Sequence, residues 1–153
     1  IIKQKKLLKI NMFRKIEHLG IAVNNMEKAL KIYEDLLGQN CYKIEVVESE
    51  FVKTAFIQVG ESKIELLEAT HSDSAIAKFL EKKGQGFHHV AFDVKNIDSE
   101  INRLVEKGFE LIHKTPKDRA DNKRIGFLQP KSTNGLLVEL CQEKEYFSLK
   151  LCN

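Results

Sequence analysis

From Ile16 to Val23 the chain alternates. Leu19, Ile21 and Val23 fall on one side of an extended segment, and His18, Gly20 and Ala22 on the other. The period then changes. Asn25 is placed to cap a helix, followed by Met26, Ala29, Leu30, Tyr33, Leu36 and Leu37 at helical spacing, with Gly38 as the stop. Three strand-like runs follow at about 41–48, 52–59 and 63–68. The same order then recurs: a strand around His89, Asn96 before a helix bearing Ile97, Ile101, Leu104 and Val105, Gly108 as the stop, and runs at about 109–113, 124–128 and 136–141.

The recurrence is a repeat. Aligning His18 with His89, an offset of 71 residues (89 − 18), places Val23 on Val94, Asn25 on Asn96, Met26 on Ile97, Glu27 on Asp98 and Leu30 on Ile101 without a gap. A second echo sets Lys63-Ile-Glu-Leu-Leu67 against Leu137-Val-Glu-Leu-Cys141. Each half thus reads as strand, helix, then three strands, and carries one early His and one late Glu. Between the halves, 73–84 reads as a short capped linker helix. The expected architecture is α+β: two βαβββ modules forming a curved, half-barrel-like sheet, with helices on its outer face and a cavity on the other. The expected organisation is an extension over 1–12, functionally silent; one domain over 13–142, with modules at about 15–70 and 86–142; and a tail over 143–153.

Strand alternation selects the side chains that see the cavity. His18 shares its face with Gly20 and Ala22, which leave room, and His89 shares its face with Ala91 and Asp93. His88 is expected on the opposite face. Glu65 lies between Ile64 and Leu66, and Glu139 between Val138 and Leu140. A carboxylate so flanked must face solvent or a partner, because burying an unpaired charge is costly. Singly, such residues are usually surface or packing groups. Two imidazoles and two carboxylates related by a repeat instead form a candidate site for one divalent metal, His18, Glu65, His89 and Glu139, and an octahedral ion would keep two positions for substrate oxygens.

Composition narrows the classes. The hydrophobic fraction is 42% over 153 residues, ordinary for a globular chain with a core. No apolar stretch approaches the roughly 18–20 residues that span a bilayer, and the basic N-terminus lacks the apolar run of a signal peptide. Cys41, Cys141 and Cys152 are odd in number and show no Cys-x-x-Cys spacing, which argues against a disulfide framework or thiolate zinc site and for a cytoplasmic protein. As a lone cysteine near Glu139, Cys141 reads as a small core filler. A net charge of +3 gives no case for nucleic acid. Lys114, Lys117, Arg119, Lys123, Arg124 and Lys131 nevertheless cluster in sequence, either as a solvated loop or as a docking surface for an anion such as a coenzyme phosphate.

The doubled module with its His and Glu pairs resembles the vicinal oxygen chelate (glyoxalase/bleomycin resistance) superfamily. Within it, residues 73–92, Lys123-Arg-Ile-Gly-Phe-Leu-Gln-Pro-Lys-Ser132 and Gly135-Leu-Leu-Val-Glu-Leu140 are similar to the methylmalonyl-CoA epimerases, a likeness covering about 15–142. The resemblance implies an isomerase that interconverts (R)- and (S)-methylmalonyl-CoA by proton transfer at the α-carbon through a metal-stabilised enolate. It implies one divalent ion (Co, Zn, Mn, Ni or Mg), a coenzyme A thioester as substrate, no nucleic-acid or membrane partner, and a homodimer. Glu139 becomes the candidate base on one side of the carbon. On the other, Thr54 stands where some relatives carry Glu, which leaves Glu65, Glu48 or a water. Glyoxalase I, acting on a glutathione hemithioacetal, shares the four-ligand scheme and is the alternative. A metal-free small-molecule binding module of the same fold is a third.

Overall fold

The computed structural model describes residues 12–119 and 122–144. Residues 1–11 of the expected extension over 1–12, the end of the tail from 145 and Cys152 lie outside the described residues. The first half runs β1 (Phe13–Ala22), α1 (Met26–Leu37), β2 (Cys41–Val47), β3 (Val52–Val59) and β4 (Ser62–Ala69); α2 (Ala75–Lys83) follows. The second half runs β5 (Gly86–Val94), α3 (Ile97–Glu106), β6 (Lys117–Arg119), β7 (Lys123–Leu128) and β8 (Leu137–Glu143).

The caps form where the residue types call for them. Asn25 accepts the Lys28 N–H at 2.8 Å, Asn96 the Ser99 N–H at 2.9 Å, and the Ser74 hydroxyl the Ile76 N–H at 3.1 Å. Gly38 ends α1 at φ 62°, a left-handed conformation that costs glycine nothing, with its N–H donating to the Glu34 carbonyl.

The strands join one curled, half-barrel sheet in the order β2-β3-β4-β1-β5-β8-β7-β6. β1 and β5 pair antiparallel at its centre; β1 pairs parallel with β4, and β5 parallel with β8. The two halves therefore meet about a pseudo-twofold at β1/β5. Each half buries its own core under its own helix. Met26 and Ala29 of α1 close on Val23, Ala55 and Leu66; Ile97, Ile101 and Leu104 of α3 close on Val90, Val94, Leu128, Val138 and Leu140. The linker helix departs from this scheme. Its Ile76 packs on Ala22, Val52 and Leu67, residues of the opposite face, so α2 closes one end of the concave side.

One expected strand is not a strand. Residues 109–113 contribute a single bridge, Leu111 to Leu128, with Ile112 N–H donating to the Phe127 carbonyl and Gln129 N–H to that of Glu110. The chain then bends through 112–115, and Pro116, which has no N–H to give a ladder, precedes the three-residue edge strand β6.

Candidate metal centre

The register at the centre of the sheet builds two rows across it. In one, Glu65 of β4 pairs with Gly20 of β1, which pairs with His89 of β5; in the other, His18 of β1 pairs with Ala91 of β5, which pairs with Glu139 of β8. Each row is a Glu, a small residue and a His. Gly20 and Ala91 are themselves repeat mates (91 − 20 = 71). Their size matters, because a Cβ added to Gly20 would lie 2.2 Å from Cε1 of His89.

The rows bring the four sequence-selected side chains together, each between 0 and 4% exposed. Nε2 of His18 lies 2.9 Å from Nε2 of His89, 3.1 Å from Oε2 of Glu65 and 3.9 Å from Oε2 of Glu139. Nε2 of His89 lies 3.4 Å and 3.5 Å from the same two carboxylate oxygens. One ligand atom each from His18, His89 and Glu139 falls within 4.8 Å of the others, and Glu65 joins through its contacts to both histidines. Oε2 of Glu65 and both carboxylate oxygens of Glu139 are buried without a hydrogen-bond partner. Two carboxylates in a dry pocket repel each other and are costly unless a cation compensates them. Adjacent donors on an octahedral ion with bonds of about 2.1 Å lie about 3 Å apart, close to the shorter spacings here. The donor set and its orphaned oxygens fit a divalent cation.

One residue that sequence reasoning passed over, Glu17, completes the surroundings together with Arg119 of the basic cluster. Glu17 is buried beside His18 and accepts from His18 Nδ1, from Lys63 and, at 2.7 Å, from Lys123. Burial works against its charge, but the hydrogen bonds from His18, Lys123 and Lys63 hold its carboxyl far below the usual carboxylate range. His18 is likewise penalised by burial, yet Glu17, Glu65 and Glu139 hold its charged form up to about pH 10. Burial also opposes the charge on Glu65, and contacts with His18, His89 and Arg119 outweigh it, leaving that carboxyl well below its ordinary value. The Arg119 guanidinium sits 3.5 Å from Glu65 and 3.7 Å from Glu139.

His88 corrects an expectation. It does not turn to the opposite face: its Nδ1 lies 2.9 Å from Nδ1 of His89, and both rings line one cavity. The cause is a register shift. Gly20 pairs with His89 and Ile21 with Phe87, so His88 is an extra residue in β5 and period-two alternation fails there. Burial and His89 push His88 down to about pH 4. Thr54 is fully buried on β3, its hydroxyl directed to the Glu45 carbonyl at 3.5 Å. Cys141 is buried, and burial with Glu139 pushes its thiol up to about pH 12, which suits an inert core residue.

The centre opens on two cavities that share Arg119 and Glu139. One, about 320 Å³, holds the charged groups Glu17, His18, Lys63, Glu65 and Lys123. The other, about 420 Å³, is largely apolar, with Val52, Leu67, Ile76, Phe127 and Leu137 around His89, and with Glu50, Lys117 and His113 also on its wall. The basic cluster is thereby divided. Lys117 faces the apolar cavity, Lys123 the charged one and Arg119 both, whereas Arg124 is tied to Asp98 of α3 at 2.6 Å and Lys131 to Glu110.

Residues 17–127 match the family model of the Glyoxalase/Bleomycin resistance protein/Dioxygenase superfamily. The chain belongs to that superfamily. It is 42% identical over 130 residues to the uncharacterized protein YqjC of Bacillus subtilis, covering 85% of this chain and 93% of the relative. It is 37% identical over 133 residues to the ethylmalonyl-CoA/methylmalonyl-CoA epimerase of Cereibacter sphaeroides, covering 86% and 99%. The structure of Streptomyces coelicolor methylmalonyl-CoA epimerase in complex with 2-nitronate-propionyl-CoA superimposes with a TM-score of 0.82 at 32% identity, covering 87% of this chain and 99% of that one. Among the described residues no helix is long and apolar enough to cross a membrane.

Proposed function

We propose that this superfamily member is a divalent-metal-dependent epimerase that moves a proton at the α-carbon of methylmalonyl-CoA, with His18, Glu65, His89 and Glu139 as the metal ligands. The observation that carries the reading is Glu139, a buried carboxylate with neither oxygen in a hydrogen bond, set at the junction of the two cavities. The similarity to named epimerases supports the substrate. A divalent ion held there would supply the positive charge that stabilises negative charge developing on neighbouring carboxylate and thioester oxygens.

The chain's own groups do the rest. Glu139 takes the proton on one side of the carbon. Glu50, in the turn before β3, lines the same apolar cavity and is the acid/base for the other side. Thr54 directs its hydroxyl to the Glu45 carbonyl, and Glu48, unlike Glu50, does not line that cavity. The apolar wall of Val52, Leu67, Phe127 and Leu137 excludes water around the reacting carbon, and Lys117 offers a cation to the coenzyme arm. Arg124, turned to Asp98, does not.

The deciding experiment is deuterium wash-in. The metal-loaded chain should exchange the α-proton of methylmalonyl-CoA in heavy water and interconvert its epimers, while propionyl-CoA, lacking the free carboxylate, exchanges far more slowly. Turnover of the methylglyoxal–glutathione adduct without any exchange on methylmalonyl-CoA would replace this reading with the glyoxalase one.

Metal binding should depend on pH with a definite sign. His18 is raised in the folded, metal-free chain, so its proton stabilises that state fully below the ordinary histidine value of 6.5, and this contribution is lost as pH rises through about 10. A metal must displace that proton, so cobalt(II) affinity should climb about tenfold per pH unit between about pH 7 and 9, with about one proton released per ion. Calorimetry in buffers of different ionisation enthalpy reads the proton directly. Flat affinity across that range would remove His18 from the ligand set.

A further inference from the structure

Both histidines of the centre are preceded by a residue that the sheet leaves unpaired. Ile16 pairs with Phe92 and His18 with Ala91, which makes Glu17 an extra residue in β1; Gly20 pairs with His89 and Ile21 with Phe87, which makes His88 the extra residue in β5. The two shifts are repeat mates (88 − 17 = 71). A bulge re-aims the side chain it carries, and here it brings each extra residue to the same side as the histidine that follows. The Glu17 carboxylate meets Nδ1 of His18, and Nδ1 of His88 meets Nδ1 of His89 at 2.9 Å. In both cases the bond is to the ring nitrogen farther from the centre, while Nε2 of His18 and of His89 point at each other and at Glu65 and Glu139.

We infer that Glu17 and His88 are positioning residues, delivered by paired β-bulges, that fix the Nδ1–H tautomer of His18 and His89 and so hold both Nε2 lone pairs toward the metal. This rests on the metal reading of the site. An imidazole can ligate through Nε2 only if its proton sits on Nδ1, and a second partner on that Nδ1–H locks both the tautomer and the ring plane. The two partners differ in chemistry. Glu17 is an anion, clamped by Lys63 and by Lys123 at 2.7 Å so that its carboxylate cannot rotate away, and it draws the His18 proton outward. His88 is an imidazole that must accept through Nδ1 and carry its own proton on Nε2, and its ring is held edge-on to Phe79 at 4.8 Å between centroids. His18 is therefore the stronger donor of the pair, although the two are symmetric in sequence and fold.

The test uses the full-length chain stripped of metal and titrated with cobalt(II), followed by its visible absorption and by competition with a chromophoric chelator. Glu17→Gln, which keeps the shape and removes the charge, should weaken cobalt binding by about 10- to 100-fold while the protein stays folded. His88→Phe should weaken it by less, and His88→Gln, which restores an acceptor, should recover part of that loss. Lys63→Met removes one of the two lysines that hold Glu17 but leaves its contact to His18, so it should weaken binding less than Glu17→Gln; a fall equal to that of Glu17→Gln would assign the effect to the ion-pair cluster and overturn the inference. Nitrogen-15 imidazole spectra of the zinc-loaded chain should show both rings protonated at Nδ1, with the deshielded His18 Nδ1 proton lost in Glu17→Gln. Native-like cobalt affinity in Glu17→Gln and His88→Phe would overturn the positioning role alone. No cobalt binding by the native chain would overturn the metal reading beneath it.

Discussion

Gly20→Ala should empty the centre without unfolding the protein. A methyl at residue 20 would stand 2.2 Å from Cε1 and 2.3 Å from Nδ1 of His89, closer than any side-chain packing allows. The ring cannot slip aside cheaply. It is boxed by His18 at 5.1 Å, His88 at 5.2 Å and Phe127 at 5.9 Å between centroids. To admit the methyl, His89 must rotate out, which leaves three donors and takes from Glu65 one of its contacts. Cobalt affinity should fall on the order of 100-fold or more, since displacing a ligand outright costs more than disturbing the groups that orient it. Stability should drop by about 1–3 kcal/mol, the usual cost of overpacking. Gly126→Ala is the control: its methyl would lie 3.4 Å from Cδ1 of Ile101, an ordinary contact under α3, and metal binding should be unchanged. Native metal affinity in Gly20→Ala would show that His89 takes no part in the centre.

Glu139→Gln should separate the ligand from the base. The amide keeps the volume and one oxygen for a metal but cannot take a proton at neutral pH. Turnover should fall by roughly 10²- to 10⁴-fold, the usual contribution of a positioned acid/base. The loss should lie in kcat rather than KM, because the missing interaction belongs to the transition state. Glu65→Gln, at the repeat-related position, should lose much less turnover for a comparable change in cobalt stoichiometry. Equal losses in the two variants would mean that Glu139 acts as a ligand only, and the base would have to be sought in Glu50.

Much of this was legible in the sequence. The repeat at an offset of 71 placed both histidines, the paired Ile-Glu-Leu and Val-Glu-Leu segments placed both carboxylates, and the change from period two to helical spacing placed α1 and α3. These are local properties, each decided by side chains within a few residues of one another. The small residues of β1 were visible too, and the structure gives Gly20 its reason: it is the floor beneath His89. The division of the basic cluster could also have been read, because Lys123 and Arg124 are neighbours in a strand and must face opposite ways.

What tertiary structure alone decided depends on pairing between distant segments. Alternation assigned His88 to the outer face, and only the register of β5 against β1 makes it the extra residue that turns inward to His89. The same shift at Glu17 converts a polar residue at a strand start into the buried partner of His18, Lys63 and Lys123, and nothing local marks it. Residues 109–113 carry a strand-like composition, but their place beside β7 allows one bridge before the chain bends toward Pro116. Composition and period determine which face a side chain prefers. Register, which is set by the whole sheet closing on itself, determines where that preference is broken, and around this centre it is broken at the two residues that touch Nδ1 of the histidines.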